Sequence, residues 1–144
     1  MKDELFFTEV ELIEEHFQIL YSFLSDRKYN ISHKNIPTYD EHIKFVKSYP
    51  YRKWVIVESK SKVLGNFYIH TDNSIGINFY QECLESLPKV YKMITDKWEP
   101  LPEILSVRNK NFFVNSPSAN DALISTLKKM GAKHMQSSYI LEEC

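Results

Sequence analysis

Three strand-like runs follow one another between residues 53 and 80, and the turns between them are very short. Lys53–Glu58, residues 62–71 and residues 74–80 are all rich in β-branched and aromatic residues. Residues 59–61 and residues 72–73 connect them. Turns this short join antiparallel neighbours, so the sequence predicts an antiparallel meander of three strands. Every other element has to pack on this meander or extend its edges.

Two helices are predicted before the meander. A short apolar run at residues 5–7 is interpreted as an edge strand, and apolar residues then recur at helical spacing over residues 9–25. Residues 8–11 match a capping box at the start of this helix, with Thr at its first position and Glu at its last. Residues 38–41 match a second capping box, for a helix that should end near Ser48, before a Pro.

Two further helices and two further strands are predicted after the meander. They are a helix at residues 87–98, a strand at residues 111–115, a helix at residues 121–130 with Gly131 as its C-cap, and a last strand at residues 134–141. Residues 103–111 fit either a short strand or a helical turn. The order β-α-α-β-β-β-α-β-α-β, without a linker or a repeat, predicts one α/β domain over residues 1–144.

Charge and cysteine content narrow the classes of function. The chain has 18 Lys and Arg against 19 Asp and Glu, a net charge of -1, whereas nucleic-acid binding needs a basic surface. No apolar run approaches the roughly 20 residues of a membrane span, and the start of the chain has no apolar signal-peptide core. Cys83 and Cys144 are isolated and predict neither a disulfide framework nor a metal site. We expect a cytoplasmic protein that binds no metal, no nucleic acid and no membrane.

A strand leads directly into a helix through the turn Gln81–Ser86. At such a junction, free backbone amides and the positive end of the helix dipole favour the binding of phosphate groups. Glycines usually allow the backbone to approach the phosphate closely, and this turn contains none. The turn is therefore the first candidate site. Whether it binds a phosphate group distinguishes two interpretations of the function.

Four stretches of the sequence resemble the GNAT superfamily of N-acetyltransferases, and together they cover nearly the whole chain. Residues 120–133 resemble the closing helix of that family, with Asn at the start and Gly near the end. Residues 112–120 resemble the strand and loop before that helix, and residues 62–65 resemble the start of the third strand. Residues 29–54 are similar to a subgroup that includes sugar-nucleotide acetyltransferases. The resemblance implies a GNAT-like, mixed, mostly antiparallel sheet of about six to seven strands flanked by about four helices.

The resemblance implies that the amides of the turn hold the pyrophosphate of acetyl-coenzyme A (acetyl-CoA). The family motif there is Gln or Arg, two residues, Gly, one residue, then Gly or Ala. Gln81 keeps the first position, Leu84 replaces the first Gly and Ser86 replaces the second. Ser86 suits an N-cap and a phosphate contact, whereas Leu84 disfavours a positive φ by about 1–2 kcal/mol. Glu82 and Glu85 add negative charge beside the expected diphosphate.

The resemblance also implies direct attack of a substrate amine on the acetyl thioester. Backbone groups of the fourth strand at Ile77, Asn78 and Phe79 are expected to bind the cofactor, with the N–H near Ile77 polarising the carbonyl as a catalytic group. Asn120 is expected to contact the coenzyme, to act as a helix N-cap, or to do both. Leu127 stands where many members of the family place a Tyr as general acid.

His33 is the first candidate for the base that removes the proton of the amine. It lies in a polar segment near the expected acceptor site, and histidine titrates near neutral pH. His70 and Glu58 are weaker candidates on the meander. His33 is more often a surface loop residue than a base, and His70, near a strand end beside Asp72, is more often an exposed structural residue. Four tyrosines either line an acceptor pocket or cover the core. They are Tyr29, Tyr39, Tyr49 and Tyr51.

Two functions therefore stay open at this point. The first is an N-acetyltransferase that uses acetyl-CoA and a small-molecule amine such as an amino sugar. The second is a GNAT-like domain that has lost coenzyme binding and acts as a non-catalytic binding or assembly module. A third arrangement keeps the reaction but uses another acyl donor, held through the altered turn. The exposed aromatic residues permit a homodimer.

Overall fold

The computed structural model describes residues 4–26 and 36–142. Helices and strands follow in the order β1 (Phe6–Glu9), α1 (Glu14–Ser25), α2 (Tyr39–Lys47), β2 (Lys53–Glu58), β3 (Val63–Ile69), β4 (Ser74–Phe79), α3 (Leu87–Lys97), β5 (Phe113–Val114) and α4 (Asp121–Lys129). A 3-10 turn, Gln81–Ser86, joins β4 directly to α3. No helix in this part of the chain is both long enough and apolar enough to cross a membrane.

The strands form one sheet in the order β1-β2-β3-β4-β5. Neighbouring strands from β1 to β4 are antiparallel, whereas β4 and β5 are parallel. The meander predicted from the short turns is confirmed as β2, β3 and β4. The mixed, mostly antiparallel α/β architecture with four helices is also confirmed, although the described residues form five strands rather than six to seven.

Helices cover both faces of the sheet because side chains alternate along its central strands. Trp54 and Ile56 of β2 pack in a cluster with residues of α1 and α2, including Phe17 and Val46. The alternate residues of β2 pack on the opposite face with Val90 and Ile94 of α3; they are Val55 and Val57. A strand buried on both faces reads as a continuous apolar run, and this is the pattern of β2.

The prediction that Thr8 caps the first helix is wrong. Thr8 lies inside β1 and pairs with Ile56 of β2, so its backbone is extended. The helix begins only at Glu14, after Ile13, whose side chain makes no capping hydrogen bond. Hydrogen bonding between the two strands therefore prevails over the local capping signal. The second predicted box, at residues 38–41, is confirmed with both reciprocal hydrogen bonds.

The last predicted strand, at residues 134–141, does not form. Residues 131–142 are all exposed, and the strand pairings of the described residues do not include them. The predicted strand at residues 111–115 is also shorter and pairs only as β5. Strand-forming side chains are insufficient without a hydrogen-bonded neighbour, and within the described residues no strand pairs with this segment, although Met135 and Gln136 lie beside Phe113 of β5.

The turn between β3 and β4 differs from the predicted two-residue turn. His70 N–H donates to the Ser74 carbonyl at 2.9 Å, so three residues, 71–73, form the loop. Asn73 occupies its third position with φ of 76°. A type I turn followed by one left-handed residue is a common three-residue hairpin, and Asn tolerates that conformation better than most residues.

Candidate functional site

β4 and β5 separate after two residue pairs. Ser74 pairs with Phe113 and Ile75 pairs with Val114, and β5 ends there. β4 continues through residues 76–79, where its backbone pairs with β3 on one side only. The two strands are therefore paired at Ser74 and unpaired at Phe79. We call the side of β4 that is left without a strand neighbour at residues 76–79 the cleft, with its closed end at Ser74 and its open end at Phe79.

Backbone N–H groups of β4 point into this cleft. His70 N–H donates to Ser74 O, and Tyr80 N–H donates to Leu64 O. These two bonds show that even-numbered residues of β4 turn their backbone groups toward β3, because the direction alternates along a strand. Ile77 and Phe79 therefore direct N–H and C=O toward the cleft, beyond the end of β5. Asn78 directs its amide to β3.

Asn73 closes the narrow end of the cleft. Its backbone oxygen accepts a hydrogen bond from Phe113 N–H at 3.2 Å, which starts the pairing of β5 with β4. Its fully buried side chain donates to the carbonyls of Leu101 and Asn109 at 2.9 and 2.7 Å. It also accepts from Leu101 N–H at 2.7 Å. One residue thus connects the hairpin, the loop that precedes β5, and β5 itself.

Asp72, next to it, stabilises the same hairpin. Its Oδ1 accepts hydrogen bonds from Ser74 N–H at 2.8 Å and from the Ser74 hydroxyl at 2.6 Å. Partial burial works to raise the pKa of Asp72, but the hydrogen bonds from Ser74, aided by His70, outweigh it and lower the pKa below its ordinary value. The carboxylate is therefore a structural acceptor at the closed end of the cleft.

The turn Gln81–Ser86 at the open end is a 3-10 helix rather than an open loop. Cys83 N–H donates to Tyr80 O, and Leu87 N–H donates to Leu84 O. The Ser86 hydroxyl donates to Cys83 O at 2.7 Å. Pro88, in the first turn of α3, has no N–H at all. In this conformation these groups of the turn are hydrogen-bonded within the chain and are not directed at a phosphate.

Leu84 causes the turn to pack against α4. Leu84 does not have the positive φ that a glycine at this position would allow, because the positive-φ non-glycine residues of the described chain are Asn73 and Ser106. Leu84 is instead buried in a cluster with Leu87 and Leu123. Leu127 packs on the same cluster, so an apolar contact stands where the resemblance implies a general acid.

The other expected coenzyme residues are spread around this cluster. Asn120 caps α4, because its Oδ1 accepts from Leu123 N–H at 3.2 Å, so the N-cap interpretation holds whether or not it also meets a coenzyme. Gln81 is exposed at the start of the turn. Glu82 and Glu85 are exposed on its outer side, where they give the turn a negative surface.

The candidate bases lie in three different places. His33 falls outside the described residues. His70 lies at the closed end of the cleft, about 17 Å from Phe79 if β4 rises about 3.3 Å per residue, and its ring packs edge-on against Tyr51 and Tyr68. Glu58 pairs with Val63 and lies one residue beyond Val57, which is the residue level with Phe79 two strands away, about 10 Å at the usual strand spacing.

The described tyrosines belong mainly to the packing of the α1–α2 face. Tyr49 and Tyr51 meet Trp54 edge-on, with ring centroids 5.2 and 5.0 Å apart. The Tyr39 hydroxyl donates to Glu14 at 2.6 Å, and that hydrogen bond is the main reason that the pKa of Tyr39 is raised to about 12. These contacts favour the core interpretation for the three residues. Tyr29 lies outside the described residues.

Tyr80 is a further candidate residue that the sequence reasoning did not select. It follows β4 directly, at the open end of the cleft, and its ring packs on Phe23 of α1 with centroids 4.5 Å apart. A phenol can donate a proton as well as a hydrogen bond. The sequence signal for this candidate is its place immediately after a strand that enters the turn Gln81–Ser86.

The fold is that of the GNAT acetyltransferases: a mostly antiparallel sheet in which two parallel strands separate beside a strand-to-helix turn. No protein-family model matches the chain, and no curated protein sequence matches it. Solved structures do match. A domain from Methanocaldococcus jannaschii DSM 2661 aligns with a TM-score of 0.66 and 12% identity, over 95% of this chain and 93% of its own.

Two other matching structures carry acetyltransferase names. One is a possible acetyltransferase from Clostridium difficile 630, with a TM-score of 0.59 and 12% identity, covering 97% of both chains. The other is an aminoglycoside acetyltransferase from an uncultured soil metagenomic sample in complex with sisomicin, with a TM-score of 0.57 and 10% identity, also covering 97% of both chains. At these identities the similarity establishes the fold alone.

Proposed function

We propose that this protein is an N-acyltransferase that moves an acetyl group from acetyl-CoA, or a related acyl thioester, to a primary amine of a small molecule such as an amino sugar. The observation that carries this proposal is the free edge of β4, where the N–H groups of Ile77 and Phe79 face a cleft. Amides fixed in a strand can stabilise an oxyanion without reorganising during the reaction. The free thiol Cys83 fits a reducing compartment, and we expect action in the cytoplasm.

The reaction requires few groups beyond these amides. The lone pair of the neutral amine attacks the carbonyl carbon of the thioester, and a C–N bond forms while the oxyanion is held by the β4 amides. The C–S bond then breaks, and the thiolate leaves. A base accepts the proton that the nitrogen loses, and one proton returns to the sulfur. His33 stays the proposed base, and Tyr80 is the proposed donor to the sulfur in place of the absent family Tyr.

The two ends of acetyl-CoA fit the site unequally. In this proposal the thioester end would bind the unpaired amides of β4, so the residues present fit that end. The diphosphate end meets a 3-10 turn whose amides at Cys83 and Leu87 are already bonded, with Glu82 and Glu85 exposed nearby. We therefore propose that most of the binding energy comes from the acyl and pantetheine portion. Asn120 and Ser86 would then add little to affinity unless the turn opens.

The packing of Leu84 supports a second candidate, a binding or assembly module without catalysis. Leu84, Leu87 and Leu123 join the turn to α4 through a buried apolar contact, beside β4 side chains that include Ile77. If this contact is permanent, it excludes the coenzyme from the open end of the cleft. The protein would then keep the fold and bind a partner without catalysing a reaction. One fold commonly supports several unrelated functions.

Calorimetric titration with two donors separates these candidates. The proposal expects acetyl-pantetheine to bind within about tenfold of acetyl-CoA, because the diphosphate adds little. Leu84→Gly should strengthen acetyl-CoA binding more than acetyl-pantetheine binding, since it frees the turn. Leu105→Gly, at a position 82% exposed outside the cleft, is the matched control and should change neither affinity.

Two outcomes would count against the transferase. Neither donor producing heat or a thermal shift at millimolar concentration would leave the non-catalytic module as the better account. Binding of acetyl-CoA with no acetyl transfer to any of a panel of amines, amino sugars included, would do the same. Because Leu84→Gly removes a buried side chain, circular dichroism must show that the variant is folded, and Leu84→Ala offers a milder replacement.

A further inference from the structure

Tyr68 of β3 lies directly opposite Gly76 of β4. A Cβ added at Gly76 would lie 2.6 Å from the Tyr68 hydroxyl oxygen, so the phenol end of the ring occupies the space that a side chain at residue 76 would fill. An aromatic ring over a glycine of the neighbouring strand shields the glycine backbone. This packing explains the ring of Tyr68 but not its hydroxyl, because Phe would pack there equally well.

The neighbouring aromatic residues fix the ring of Tyr68. It stacks on Tyr51 with ring centroids 4.1 Å apart and planes 11° apart. It also meets His70 and Trp54 edge-on, and Trp54 is buried in the cluster that β2 forms with α1 and α2. The hydroxyl of Tyr68 therefore has a defined position on the α1–α2 face of the sheet.

The Tyr68 hydroxyl makes no hydrogen bond within residues 4–26 and 36–142. Every fully buried side-chain nitrogen or oxygen in that part of the chain has a partner, so this hydroxyl is open to solvent although Tyr68 itself is half-buried. A phenol can both donate and accept a hydrogen bond, and a tyrosine hydroxyl in an aromatic cluster usually has a partner. The hydroxyl is thus available to a ligand.

This hydroxyl lies beside the β4 amide at which the proposed reaction takes place. Ile77 follows Gly76, and its nitrogen is at most about 4 Å from a Cβ built on Gly76. The Tyr68 hydroxyl is therefore within about 7 Å of the Ile77 nitrogen. A carbonyl oxygen bound to that amide, its carbon and an attacking amine fit within such a distance.

The two faces of β4 differ at this point. Ile77 and Phe79 direct apolar side chains to the α3 face, where they pack on the core. The opposite face carries Gly76, the polar Asn78 and the Tyr68 hydroxyl, because side chains alternate along a strand. A planar carbonyl in the cleft is attacked from one of these two faces. The polar face suits an amine, and the apolar one does not.

We propose that the Tyr68 hydroxyl binds the acceptor amine. Its oxygen accepts a hydrogen bond from the amine N–H, which directs the nitrogen lone pair at the carbonyl carbon. The same hydroxyl can donate to an oxygen of the acceptor, so a compound with a hydroxyl beside its amine, such as a 2-amino sugar, satisfies both roles. Tyr68 takes up no proton, and His33 stays the proposed base. This inference rests on the proposed function and names the residue that selects its acceptor.

Tyr68→Phe tests this role because it removes the hydroxyl and keeps the stacked ring. The variant should unfold within about 2 °C of the natural chain, since the hydroxyl makes no hydrogen bond in the described residues. Glucosamine, ethanolamine and cadaverine are the probe amines. For each one that is acetylated, KM should rise about fivefold, the equivalent of one neutral hydrogen bond, while KM for acetyl-CoA is unchanged. Tyr91→Phe, on α3 and 42% exposed, is the matched control and should change neither value.

Amide NMR measures the same contact without turnover. Each probe amine is titrated into the ¹⁵N-labelled protein, alone and in the presence of coenzyme A. At least one amine should cause a saturable shift at Gly76, beneath the Tyr68 ring, and should bind about fivefold more weakly to Tyr68→Phe. The absence of a saturable shift at Gly76 with all three amines in both states would overturn the inference. Equal affinities of the natural chain and Tyr68→Phe would also overturn it.

These measurements separate the role of Tyr68 from the proposed reaction. Acetyl transfer by Tyr68→Phe with an unchanged KM for the amine would leave the reaction standing and overturn the role of Tyr68. Amine binding that depends on the Tyr68 hydroxyl, in a protein that binds no donor and transfers no acetyl group, would support the role of Tyr68 as a binding residue and contradict the transferase.

Discussion

Asn73→Ala is expected to be among the most damaging single substitutions outside the apolar core. The side chain is fully buried and makes three hydrogen bonds: two donated to the Leu101 and Asn109 carbonyls and one accepted from Leu101 N–H. Removing it leaves those three backbone groups without partners. The residue also has φ of 76°, a conformation that alanine adopts at a cost of about 1–2 kcal/mol.

The magnitude follows from these two contributions. Three lost hydrogen bonds at about 1 kcal/mol each amount to about 3 kcal/mol. The left-handed backbone adds about 1 kcal/mol for alanine and almost nothing for glycine. We therefore expect Asn73→Gly to lower the free energy of unfolding by about 3 kcal/mol and Asn73→Ala by about 4 kcal/mol.

Urea unfolding measures both variants against the natural chain. At a slope of about 2 kcal/mol per molar, a loss of 4 kcal/mol moves the midpoint by about 2 M. Asn111→Ala serves as control, since Asn111 is exposed and surface changes usually stay within about 0.5 kcal/mol. If both Asn73 variants fall within that same range, the account of the closed end of the cleft is wrong.

Four further substitutions test other parts of the fold. Gly65→Ala should lower the free energy of unfolding by about 1–3 kcal/mol, because a Cβ there would lie 2.6 Å from the Asn78 carbonyl oxygen. Gly76→Ala should lower it less, since the added Cβ would meet the movable end of the Tyr68 ring. Equal losses of stability in thermal unfolding would contradict this difference. Burial lowers the pKa of His42, and this effect outweighs the hydrogen bond with the Phe17 carbonyl, which raises it. As the pH falls below about 6.5, the unfolded state therefore binds a proton at His42 before the folded state does. Stability should therefore fall with pH in that range and fall less steeply in His42→Gln, as pH-dependent unfolding would show. Thr38→Ala should lower the free energy of unfolding by about 1 kcal/mol. An unchanged unfolding midpoint would show that the reciprocal hydrogen bonds between Thr38 and Glu41 do not stabilise the protein.

Much of the fold follows from local patterns that nothing else in the chain opposes. The short turns at residues 59–61 and 71–73 require antiparallel strands, whatever the remainder does. The capping box at residues 38–41 forms because no strand competes for it, whereas Thr8 belongs to a strand that pairs with Ile56. Residues 134–141 include side chains that favour strands, but a strand forms only where a neighbouring edge pairs with it, and one sequence does not reveal that edge.

The sequence predicts where the candidate site lies along the chain, but not the backbone conformation of its turn. The sequence located the β4 amides and the turn at residues 81–86, and it identified Leu84 as the residue in conflict with a glycine-like loop. It did not show how the conflict is resolved. A 3-10 turn avoids positive φ and buries Leu84 against α4, which depends on Leu123, a residue almost forty positions away. Such long-range packing decides between backbone conformations that are locally similar in energy.

The most direct measurement is a titration of the ¹⁵N-labelled protein with acetyl-pantetheine, followed by amide NMR. The account predicts saturable shifts at the Ile77 and Phe79 amides, together with slower exchange of their hydrogens with solvent, and little change at Gly76 and Asn78, whose amides face β3. Saturable shifts elsewhere that leave Ile77 and Phe79 unmoved would show that the free edge of β4 does not receive the thioester.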